Sequence, residues 1–153
     1  MKRYLLLGIT MLSVVGCANL APVATPTGKP EVTINTTNTS RIKGALVSTL
    51  GENGYGLTQD TPYSLIFGKQ LEGSGAVLYQ VALGNAYSSP PQMNMAFTFA
   101  PAGQATRVFA HINISMQGVL GQNQGTNMDT GKAAHEVQAM LEQIKANVES
   151  HSG

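Results

Sequence analysis

The sequence predicts an α+β domain: an antiparallel β-sheet of about six strands with two helices on one of its faces. Three observations carry that expectation. Two runs between Met93 and Met116 alternate apolar and polar residues with period two, as strands with one buried face do. Residues 42–50 and 133–148 carry apolar residues at helical spacing. The elements fall in the order β-α-β-β-β-β-β-α, and two amphipathic helices are most economically buried on the one apolar face of such a sheet.

The chain opens with Lys2 and Arg3, then runs almost entirely apolar from Tyr4 to Val15. Such a run of about 12 residues is too short to span a bilayer and has the layout of a secretory signal peptide. It ends in Val14-Val15-Gly16-Cys17, with Cys17 the only cysteine. This resembles the lipobox of bacterial lipoproteins. The resemblance implies cleavage between Gly16 and Cys17 and lipidation of Cys17, by palmitate among other acyl groups. A thiolate suits that role as the strongest nucleophile the chain offers, and several acyl chains anchor far more firmly than one. The resemblance further implies the bacterial cell envelope. Ala18, in place of an aspartate after the cysteine, points to the outer membrane, with the domain in the periplasm.

Loss of residues 1–16 leaves seven Lys and Arg (nine less Lys2 and Arg3) against eight Asp and Glu. So weak a charge argues against nucleic acid as a partner. It gives little hold on an anionic membrane surface. Residues 17–30 hold three prolines and no apolar period. They read as the lipidated N-terminus and a flexible tether, able to hold the domain up to about 40 Å from the membrane. Residues 31–150 form the single domain.

Glu31 to Thr36 alternates and reads as the first strand. Asn38, Thr39 and Ser40 are candidate N-caps for a helix whose face is Ile42, Ala45, Leu46, Thr49 and Leu50. Gly51 or Gly54 should end it. Tyr55 to Gln59 and Tyr63 to Lys69 read as strands around the turn Asp60-Thr61-Pro62. Gly73-Ser74-Gly75 lacks the spacing and the Lys-Ser/Thr of a phosphate loop and reads as a hairpin connection. Alternating strands then follow on Val77–Leu83, Met93–Phe99 and Arg107–Met116. Gly118 to Met128 reads as a polar loop. Asp129 or Thr130 should cap a last helix with the stripe Ala133, Ala134, Val137, Met140, Leu141, Ile144 and Val148. In element order this is similar to helix-grip domains, such as those of the outer-membrane assembly lipoprotein BamC. That resemblance implies a fold and no function.

No catalytic residue and no cofactor or metal site is expected. His111 should lie on the wetter sheet face, His135 on the last helix and His151 in the tail, apart from any nucleophile. His135-Glu136 lacks the second histidine of a zinc-protease helix. Asp60 and Asp129 stand where turns and helix starts favour aspartate. Met93 and Met95 follow the apolar strand period, as core residues do. A non-catalytic protein-interaction module is therefore expected, with an envelope protein as partner and Leu78, Ala96 and Phe109 as its patch on the outer sheet face. The alternative is a carrier of a small apolar ligand, lipid or peptide, between the last helix and the sheet, with Met93, Met95, Met116 and Met140 as a compliant lining. A gap in the core would favour the carrier. A polar outer face would weaken the patch.

Overall fold

A computed structural model describes residues 21–73, 76, 89–118 and 120–150. Its elements are β1 (Glu31–Ile34), α1 (Thr39–Glu52), β2 (Gly56–Thr61), β3 (Ser64–Gln70), β4 (Gln92–Ala102), β5 (Ala105–Gln117), β6 (Asn123–Asn127) and α2 (Gly131–Ser150). Among the described residues the fold is α+β: a six-stranded antiparallel sheet and two helices, one of them C-terminal. Among the described residues, no helix is long and apolar enough to cross a membrane.

The alternation seen in the sequence sets the two faces. Met95, Phe97 and Phe99 of β4 and Val108, Ala110 and Ile112 of β5 are buried. They meet Ile42, Leu46 and Leu50 of α1 and Val137, Leu141, Ile144 and Val148 of α2 in one core. Phe67 and Phe97 stand edge to face at 5.9 Å, the arrangement that ring quadrupoles favour. Asn38 caps α1, its side chain accepting the Arg41 N–H. Gly54, at φ 79°, turns the chain out of the helix past Asn53.

Strand order is β1-β5-β4-β3-β2, with β6 also on β5. β4 pairs with Ala105–Ser115 of β5, so β1 and β6 must share the opposite edge. There β1 takes Thr106–Phe109 and β6 takes Asn113–Gln117. The two strands lie end to end, with a gap opposite Ala110–Ile112.

The strand expected on Val77–Leu83 lies outside the described residues; β3 pairs directly with β4. Three expectations change. Among the described residues the sixth strand is β6, inside the expected loop 118–128: Asn-Gln-Gly-Thr-Asn has no apolar residue to show a period. β2 begins at Gly56 and carries a bulge at Thr58, between Leu57 and Gln59. Residues 21–30, expected as part of a flexible tether, lie against the domain. Val23 is buried, Gly28 N–H donates to the Thr25 carbonyl, and Ala110 N–H donates to the Pro30 carbonyl.

Candidate functional site

An opening into the core lies between the end of α1 and the first half of α2, over β4. Met93 and Met95 reach it from the core face of β4, and Ile112 from β5 opposite Met95. Leu50 closes one wall, Ala133, Val137 and Met140 the other. Thr49, Asn53, Tyr55, Glu136 and Gln143 form a polar rim. The groove holds about 500 Å³, within the range of small-ligand sites. Three of the four methionines expected as a lining are here. Met116 is buried towards the end of β5 and takes no part.

Tyr55 joins the rim to the apolar wall. Tyr55 Oη donates to Met93 Sδ at 3.2 Å, and Lys69 Nζ stands 5.2 Å from the phenol ring while donating to the Asn53 carbonyl at 2.8 Å. Burial raises the Tyr55 pKa, and the negative charge of Glu136 adds to the effect. The phenol therefore stays neutral and able to donate near pH 7. Glu136 is largely exposed and pairs with Lys132 one turn earlier.

A second constellation centres on Asp129, whose side chain is 1% exposed. It does not behave as a helix cap. Its Oδ1 accepts the Ile112 N–H at 2.7 Å, inside the gap between β1 and β6. Its Oδ2 accepts from His111 Nδ1 and Asn127 Nδ2, both at 3.0 Å, and Lys29 Nζ lies 3.4 Å away. Met128 N–H donates back to the Ile112 carbonyl. Burial pushes the Asp129 carboxyl upward. The bonds from His111, Ile112 and Asn127 and the attraction of His111 outweigh it and hold the pKa at about 2, from an ordinary 3.8. Local sequence suggested a cap because the actual partner, Ile112, lies on another element.

This carboxylate fixes the imidazole as the acid of a catalytic triad does. Directly across from His111 on β4 stands Ala96, which offers no nucleophile. Among the described residues, no three His, Cys, Asp or Glu are placed to share a metal ion.

The other expected residues scatter. Ala96 and Phe109 share the outer sheet face as diagonal neighbours. Phe109 is covered by Arg107, whose guanidinium lies 4.7 Å from the ring and pairs with buried Glu31. Leu78, Gly16, Cys17 and His151 lie outside the described residues. The rows beside Ala96 carry Asn94, Asn113, Ser115 and Thr98, so this face is mainly polar. Asp60 pairs with Lys43 at 2.5 Å, bracing β2 against α1. His135 Nε2 donates to the Ala21 carbonyl at 2.6 Å. Searched against protein-family models and against curated proteins, the chain matches no family and no curated sequence.

Proposed function

We propose that this chain is a lipid-anchored bacterial envelope protein whose domain holds a small apolar ligand, about one acyl chain in size, in the groove between α2 and the sheet. The observation that carries the reading is the groove itself. Met93, Met95, Met140 and Val137 line an open groove of about 500 Å³, within the range of clefts that take small apolar ligands. Methionine suits such a wall because its unbranched, polarisable chain adapts to irregular ligands. Tyr55 and Glu136 at the rim can orient a polar end. The sequence motif Val14-Val15-Gly16-Cys17 supports the anchor. The patch reading has less support, since Arg107 covers Phe109 and amides dominate the outer face.

The test is titration of a fluorescent C16 fatty acid into the Cys17→Ser protein, which lacks the lipid. One probe should bind per chain. Met140→Glu places a carboxylate in the apolar wall and should weaken binding by about tenfold or more. Ala96→Gln, on the outer face, should leave it unchanged. Equal effects of the two substitutions, or no binding by the parent, would overturn the reading.

A further inference from the structure

We infer that residues 21–30 act as a strap that holds the domain against the bilayer, with the start of α2 facing the lipid surface. The inference rests on the anchor proposed above. Its evidence is the way this segment is held. The Ala21 carbonyl accepts from His135 Nε2 on the second turn of α2. Val23 is 4% exposed. Thr25 Oγ1 donates to the Lys29 carbonyl at 2.6 Å, and Thr27 N–H donates to Glu31 Oε1 at 2.9 Å. Lys29 reaches Asp129, and the Pro30 carbonyl joins the edge of β5.

Chain length turns these contacts into an orientation. A free tether from Cys17 to Pro30 would reach about 40 Å. With Ala21 fixed, only Ala18, Asn19 and Leu20 separate it from Cys17, a reach of about 14 Å. That is close to one helix diameter, so the end of the domain at Ala21 must stay near the headgroups. The opposite end is equally defined. α2 runs beside β1 in the same sense, since Gln138 bonds Glu31 and Glu149 bonds the Asn35 N–H. From His135 to Glu149 is about 21 Å along the helix. The β4–β5 turn lies at that far end, because Thr106 pairs with Ile34. Ala133 of the groove wall and Glu136 of its rim flank His135 on α2, so lipids of the anchoring bilayer are the apolar molecules nearest the groove.

The experiment uses the lipidated chain in phosphatidylethanolamine–phosphatidylglycerol vesicles that carry a headgroup-attached quencher. A fluorophore is placed at Lys132→Cys, beside the strap, or at Gln104→Cys, in the far turn; the Cys17 thiol is occupied by lipid. The label at 132 should be strongly quenched and that at 104 little. Val23→Asp combined with His135→Ala should free the strap and remove the difference. Equal quenching at the two positions of the parent would overturn the strap. A difference that survives in the released variant would overturn it too, since something other than residues 21–30 would then orient the domain. Failure of the chain to stay with the vesicles at all would instead remove the lipid anchor on which the inference stands.

Discussion

Asp129→Asn keeps the shape of the side chain and removes its charge, which isolates the electrostatic part of the β1–β6 junction. The carboxyl is held at about 2 against an ordinary 3.8. At about 1.4 kcal/mol for each unit, the folded state favours the charged form by about 2 kcal/mol. The group is almost fully buried, so solvent screening removes little of this. A depressed pKa gives stability that is present above the unfolded value and lost as pH falls through the folded one. The Asn variant should therefore be about 2 kcal/mol less stable than the parent near pH 7. The gap should hold down to about pH 5 and narrow towards pH 2, where a protonated Asp carries no charge either. Urea unfolding of both proteins in the Cys17→Ser background measures it. Differencing the two proteins cancels the contributions of the other carboxylates. A gap that persists unchanged at about pH 2 would mean that shape, not charge, matters. Equal stability at neutral pH would mean that the bonds from His111 and Ile112 only offset the desolvation of the carboxylate.

Two further outcomes are expected. Leu141 is fully buried in the core with Phe97 and Ile112, so Leu141→Ala should cost roughly 2–5 kcal/mol, read as a lower urea midpoint, while exposed Glu142→Ala changes it little; equal small effects would mean that α2 is not packed on the sheet. Cys17→Ser should abolish metabolic palmitate labelling, because a hydroxyl is a poor substitute for a thiolate; label retained by the Ser variant would refute the lipobox.

The elements legible in the sequence were those with one apolar face. Met95, Phe97 and Phe99 alternate on β4, and Val108, Ala110 and Ile112 on β5, because one side of each strand meets the helices. Leu46 and Leu50 on α1 and Val137, Leu141 and Ile144 on α2 are visible for the same reason. β6 was not legible: it earns its place through backbone pairing with Asn113–Gln117, and pairing leaves no mark on side-chain hydrophobicity. The strap was not legible either. Its prolines resemble those of a linker, and its anchors, His135 and Asp129, lie about a hundred residues away. The groove was half legible. The methionine stripe on β4 and Met140 could be read from period alone, but the space left between α1 and α2 is a tertiary property.

These less legible features converge on one strand. β5 is 13 residues long, longer than either neighbour on its outer edge, so a break between β1 and β6 is unavoidable. An open break would leave the Ile112 N–H and C=O buried without partners, which is costly. The chain closes it with three groups from two separate segments: the Pro30 carbonyl on Ala110, the Asp129 carboxylate on the Ile112 N–H, and the Met128 N–H on the Ile112 carbonyl. Lys29 then ties the first segment to the second through Asp129. The strap, the entry to α2 and the middle of β5 thus meet at one point. Lifting Pro30 and Lys29 away would unpair a sheet amide and remove a cation from a buried carboxylate. The strap and the first turns of α2 are consequently coupled, and those turns also carry Ala133 of the groove wall and Glu136 of its rim. Asp129→Asn should therefore disturb more than stability: by loosening Lys29 it should also raise the fraction of molecules in which the label at position 132 escapes the headgroup quencher.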